Sequence, residues 1–137
     1  MIAYLDSSVL LRVVLGQRGR LREWGSIKEG VASAVAEVEC FRTLDRLRHR
    51  GDLGDRDVAT RREAVYRLLD EVTVIEPTRA ILGRAGAPLP SPLGTLDAIH
   101  LATALSWKDS TGADIIFATH DAPLATAARS TGFQTIG

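Results

Sequence analysis

Apolar positions along the chain follow two rhythms. Short apolar runs recur at Ile2 to Leu5, Val31 to Ser33, Val72 to Glu76 (VTVIE), Asp114 to Ala118 (DIIFA) and Phe133 to Ile136 (FQTI). Such runs, rich in β-branched residues, read as buried strands. Between them the apolar residues recur at helical spacing. SSVLLRVVLG (7–16) stops at Gly16, and AVAEVECFRTLDRLRHR (34–50), with Ser33 as its expected N-cap, ends at Gly51. DVATRREAVYRLLDE (57–71), with Asp55 as expected cap, gives a third helix, and Thr78 opens a short one to about Gly83. GAPLPSPLG (86–94) holds three of the five prolines and reads as a loop before TLDAIHLATALS (95–106). Asp121 to Arg129 forms a last helix, stopped by Gly132.

Strands alternating with helices imply a parallel sheet covered on both faces, an α/β fold of three α/β/α layers with about five strands. The chain of 137 residues is expected to form one domain over 1–137, because it can bury one core and shows no repeat or linker.

In an open parallel sheet the working crevice lies at the carboxyl ends of the strands, where the strand order reverses. Asp6 ends the first strand there, and Asp121 follows the fourth in the turn ATHD (118–121). Asp97, in the first turn of its helix, and Glu39, about two turns into the second helix, are placed to project into the same crevice. Glu37 and Glu39 stand about 200° apart on that helix, so only one of them can face inward. Asp6 and Asp121 also sit where a helix N-cap belongs, so each carboxylate suits a purely structural role too.

Composition narrows the chemistry. Cys40 is the single cysteine, which leaves neither an internal disulfide nor a thiolate metal site. Seventeen basic residues cancel seventeen acidic ones, so no global field marks a nucleic-acid binder. The arginines are nevertheless grouped, Arg12, Arg18, Arg20 and Arg22 in one set and Arg42, Arg46, Arg48 and Arg50 in another. Each group could line a phosphate path or simply be a solvated face. No run reaches the roughly 20 apolar residues of a membrane span, and a cytoplasmic protein with no membrane partner is expected.

Carboxylates gathered in one crevice repel one another, and a divalent cation relieves that repulsion. Oxygen-only ligands favour Mg²⁺ or Mn²⁺, which can supply a nucleophilic water and neutralise charge on a phosphoryl group.

The stretches IAYLDSSVLL, AVAEVECFRTL, LGTLDAIHLATAL and FATHDAPLATAARSTGF resemble the successive motifs of PIN-domain proteins, most closely the VapC-type toxins of toxin–antitoxin pairs. The resemblance spans nearly the whole chain, and LDAIHLATA followed by a strand and T-x-D is its most specific part. It implies a metal-dependent endoribonuclease that cuts RNA, forms a homodimer, and is silenced by a cognate antitoxin in a heterotetramer or larger assembly. Carried onto this chain, it makes Asp6, Glu39, Asp97 and Asp121 the catalytic acids. Asp6, Asp97 and Asp121 are its metal ligands, and Ser7, Ser8 and Thr119 are hydroxyl neighbours that orient Asp6. It favours Glu39 over Glu37, since Arg42 and Leu44 follow Glu39 as the family pattern asks.

His100, three residues beyond Asp97 on an apolar helix, reads as a structural histidine, and His120 as an exposed residue beside the site. His49 suits the C-terminus of its helix. With seven aromatic residues, Trp24, Trp107, Tyr4 and Phe117 among them, no base-stacking surface is defined. An aspartyl-phosphate phosphatase or phosphoacceptor fits less well, because Asp6-Ser7-Ser8 lacks the second acid of D-x-D and no lysine follows the fourth strand. A non-catalytic RNA-binding module with the same sheet is the remaining alternative, and the presence of all four acids speaks against it.

Overall fold

The computed structural model describes residues 1–137. Its strands are β1 (Ile2–Leu5), β2 (Glu29–Ser33), β3 (Thr73–Ile75), β4 (Ile115–Ala118) and β5 (Thr135–Ile136). All pair in parallel in the order β3-β2-β1-β4-β5. The helices are α1 (Ser7–Val14), α2 (Val35–His49), α3 (Asp55–Asp70), α4 (Arg79–Ala85), α5 (Thr95–Thr111) and α6 (Ala122–Ser130).

Alternation along the central strand divides the core in two. Ala3 and Leu5 point to the face where Leu10, Leu44 and Val65 of α1, α2 and α3 pack. Tyr4, between them, points to the other face and joins Leu101 of α5 and Leu124 of α6. There its ring stacks on Phe117, centroids 5.0 Å apart. The sheet is thus covered on both sides, as the three-layer expectation requires. Leu44 and Leu101 are fully buried, one in each half of the core, and truncating either to alanine costs about 2–5 kcal/mol by the usual cavity penalty. β2 packs so closely that a Cβ at Gly30 would meet Val72 Cγ1 at 2.8 Å and Leu5 Cδ1 at 2.9 Å.

Several boundaries differ from the sequence reading. Ser33 is the last residue of β2, and Ala34 takes the N-cap position of α2. The Ser33 hydroxyl still accepts from the Val35 N–H at 3.3 Å. Asp55 is the first residue of α3, with Gly54 at its N-cap; an acid inside the first turn suits the helix dipole without capping. Thr78 does cap α4, accepting from the Ile81 N–H at 3.3 Å, but that helix runs on to Ala85. β5 covers only Thr135 and Ile136, and Phe133 ahead of it is buried in the core. Helix α5 extends to Thr111, where Gly112 at φ 66° ends it in a left-handed cap.

The chain builds β1, β2 and β3 outward in one direction, then returns to place β4 and β5 on the other side of β1. The reversal falls between β1 and β4, so their carboxyl ends frame the crevice.

Candidate active site

Asp6 leaves β1 at the floor of this crevice, 3% exposed. It is the N-cap of α1, and its Oδ1 accepts from the Ser7 N–H at 2.7 Å. Oδ2 accepts from the Ser8 hydroxyl at 2.7 Å and from the Thr119 hydroxyl, arriving from the end of β4, at 2.9 Å. Capping and site placement therefore coexist in one side chain. Ser8 Oγ in turn accepts from the His120 N–H at 3.0 Å, and Thr119 Oγ1 from the Asp121 N–H at 3.0 Å. These bonds clamp the β4 turn to the start of α1.

Asp121 caps α6, its Oδ1 accepting from the Leu124 N–H at 2.8 Å. Asp97 enters from the first turn of α5 and makes no hydrogen bond or ion pair. Burial first, and then the charges of Asp121, Asp6 and Glu39, push its carboxyl above the ordinary range against the pull of His100. The charges of Asp121, Asp6 and Glu39 thus all reach Asp97.

Glu39 reaches in from α2, and its Oε1 accepts from His100 Nε2 at 2.5 Å. Of the two α2 glutamates it is Glu39 that bonds His100 and whose charge reaches Asp97. The same His100 nitrogen lies 3.5 Å from Asp6 Oδ1. Behind it, Nδ1 shares a hydrogen bond with the Tyr4 hydroxyl at 2.7 Å.

Residues 3–129 match the family model described as the PIN domain. The chain belongs to the PIN-domain family. Among curated proteins this PIN domain is similar to ribonuclease VapC47 of Mycobacterium tuberculosis, 30% identical over 139 residues and covering 96% of this chain and 93% of that protein. Ribonuclease VapC46 of the same species is 32% identical over 137 residues, covering 97% and 95%. Among solved structures the fold is shared with a toxin–antitoxin complex from Klebsiella pneumoniae, at TM-score 0.67 and 17% identity over 90% of this chain and 89% of that one. It is shared also with VapBC-1 from nontypeable Haemophilus influenzae, at TM-score 0.63 and 19% identity over 98% and 96%.

In this PIN domain His100 is buried, as a structural histidine should be, and both its ring nitrogens are partnered, one of them by Glu39. Burial opposes its protonation, yet the Glu39 hydrogen bond and the charges of Asp6, Glu39 and Asp97 outweigh that and hold its pKa above the ordinary value. The sequence reading placed His100 in the core but could not name its partners, because Tyr4 and Glu39 come from β1 and α2. The available signal was its position three residues after Asp97, on the same face of α5.

No three Asp, Glu or His side chains are drawn together tightly enough to enclose an ion by themselves. The donor set nonetheless fits a hard divalent cation that keeps most of its waters and needs only one or two carboxylates. Asp97 has both oxygens free of protein donors and carries the repulsion such a cation would relieve. No helix is long and apolar enough to cross a membrane. Tyr4 and Phe117 are fully buried, which removes both from any base-stacking role.

Proposed function

We propose that this PIN domain is the toxin of a toxin–antitoxin pair, a Mg²⁺- or Mn²⁺-dependent endoribonuclease acting in the cytoplasm. The observation that carries the reading is the crowding of Asp6, Glu39, Asp97 and Asp121 at the β1–β4 reversal, with Asp97 pushed above its ordinary range by its neighbours. The names of the curated relatives support the substrate class.

Asp6, Asp97 and Asp121 would hold the cation, which supplies a nucleophilic water at neutral pH and stabilises charge on the phosphoryl group. Ser7, Ser8 and Thr119 fix the carboxylate of Asp6, so it meets its ligand without rearranging. Glu39, held by His100 at the crevice wall, would orient the attacking water and accept its proton. Hydrolysis needs no covalent enzyme intermediate, and Ser7 and Ser8 are occupied as donors rather than available as nucleophiles. A homodimer silenced by a cognate antitoxin, in a heterotetramer or larger assembly, completes the proposal; the toxin–antitoxin complex from Klebsiella pneumoniae contains a chain of this fold.

The test is cleavage of cellular RNA by the purified chain with Mg²⁺ or Mn²⁺ and with EDTA, alongside Glu39→Gln and Glu37→Gln. Cleavage is expected only with metal, lost in Glu39→Gln and largely kept in Glu37→Gln. EDTA-insensitive cleavage, or equal losses in the two variants, would overturn this assignment of the site.

A further inference from the structure

The two arginine groups have different fates. In the second, Arg42 and Arg48 both bind Asp45, at 2.6 and 3.0 Å, and Arg46 donates to the Thr43 hydroxyl at 2.9 Å. The hydrogen bonds of Arg48 and Arg42 hold Asp45 below the usual carboxylate range, so two guanidiniums of this group are engaged by a carboxylate of their own helix, whereas Arg50 makes no ion pair. In the first group Arg12 donates to the Gly19 carbonyl at 2.9 Å, folding the loop after α1 back over the helix. Gly19 sits at φ +89°, and a Cβ there would meet Arg12 Nη1 at 2.8 Å. Arg20 and Arg22, carried on that loop and exposed, make no ion pair or side-chain hydrogen bond.

Arg12, Arg20 and Arg22 line one open cleft of about 410 Å³. Glu23 is the only acidic side chain in its wall, and His120 forms the border nearest the acids. His120 lies between Thr119, which donates to Asp6, and Asp121, and its own N–H is tied to Ser8. Its Nε2 is buried without a partner. The unpartnered guanidiniums of Arg20 and Arg22 therefore share a cleft with His120, the residue between Thr119 and Asp121. At physiological ionic strength fields fade over about 8 Å, so this local excess matters more than the zero net charge of the whole chain.

We propose that this cleft is a second phosphate site, one that holds a backbone phosphodiester of single-stranded RNA next to the one being cut. The inference rests on the ribonuclease reading. Its chemistry follows from the donors, since guanidinium pairs bind phosphate oxygens in bidentate fashion and show no preference among bases. An RNA strand that places one phosphate over the acids and runs along the β4 turn brings the neighbouring phosphate to His120, Arg12 and the loop arginines. Such contacts fix the register of the strand and leave sequence choice to other surfaces.

Because phosphate contacts ignore sequence, a fluorescent single-stranded RNA of mixed sequence is a sufficient probe, bound to the full chain with divalent cations removed so that nothing is cut. Arg20→Ala/Arg22→Ala is expected to weaken binding roughly tenfold and to flatten the dependence of log affinity on log salt by about 1.4, from about 0.7 per phosphate on a single strand. Arg20→Lys/Arg22→Lys keeps the charge and should recover most of the salt slope. Arg56→Ala, an exposed arginine of α3 far from the cleft in sequence, serves as the control for losing one positive charge and is expected to bind like the wild type. A double alanine variant that binds with unchanged affinity and slope, while the wild type binds and cleaves RNA, overturns the cleft and leaves the ribonuclease reading standing. A wild type that neither binds this RNA nor cleaves cellular RNA sinks both.

Discussion

Asp6 and Asp97 share a crevice but are built in opposite ways. Asp6, on the sheet side, is buried and receives a backbone N–H and the hydroxyls of Ser8 and Thr119 before any ligand arrives. Asp97, on the helix side, is half-buried, receives no hydrogen bond, and is pushed upward by burial and by its acidic neighbours. The floor of the site is finished by the fold, whereas the wall is left to be completed by what binds. The fold thus carries a standing repulsion at Asp97 so that a cation meets a carboxylate with nothing to displace.

The largest effect should separate the two acids by stability rather than by activity. Both Asp97→Asn and Asp6→Ala are expected to lower RNA cleavage more than about a hundredfold, beyond the 10–100-fold typical of a supporting partner. Without metal, however, Asp97→Asn should melt at or above the wild-type temperature, because it removes one charge from a repelling cluster. Asp6→Ala should lose about 1–3 kcal/mol by stranding its buried donors. Matched thermal melts in EDTA decide it, and equal losses would erase the distinction.

A smaller effect is expected at His100, which joins the two halves by holding Glu39 against Asp6. His100→Gln keeps a donor for Glu39 but not the bond to Tyr4, and should cost about 10–100-fold in turnover. His100→Ala, which also opens a cavity, should cost more and lower stability as well. Turnover at wild-type level in both variants would return His100 to a packing role.

The smallest effect is a pH dependence in the metal-free protein. A carboxyl whose folded pKa stands above its unfolded value of about 3.9 contributes stability below that value and loses it as pH rises through the folded pKa. The wild type should therefore lose ground to Asp97→Asn as pH rises from about 4 toward neutrality. Other carboxylates titrate in both proteins, so the difference between the two melting curves isolates Asp97. A constant difference would mean that Asp97 bears no special repulsion.

Much of the architecture was legible in the chain. The apolar runs marked the strands, and acids placed directly after Leu5 and within ATHD had to arrive at the carboxyl edge of the sheet. The angle between Glu37 and Glu39 made one of them the inward residue, and the resemblance favoured the one that the fold turns in. What was not legible depends on contacts between distant segments. His100 looked like one more buried position, since nothing local announces that Tyr4 and Glu39 will close on its two nitrogens. The arginine groups looked alike in composition, yet Asp45 stands three residues from both Arg42 and Arg48, and that spacing already encoded their pairing. Ser33 and Asp55 were offset from their expected cap positions because helix starts are set by where the preceding strand or turn releases the chain.

The position of β1 at the centre of the sheet also governs when the crevice can exist during synthesis. Asp6 is made early, but the Thr119 hydroxyl that completes its cradle lies 113 residues later. Pairing β1 with β4 closes a loop of similar length, the kind of long-range contact that forms late. A growing chain that has released α1, α2 and α3 from the ribosome can bury their shared core against β1 and β2 while the acids remain apart. The crevice can be assembled only after the ATHD turn emerges, so a chain stopped short of β4 would carry Asp6, Glu39 and Asp97 without the turn that brings Thr119 and Asp121 to them.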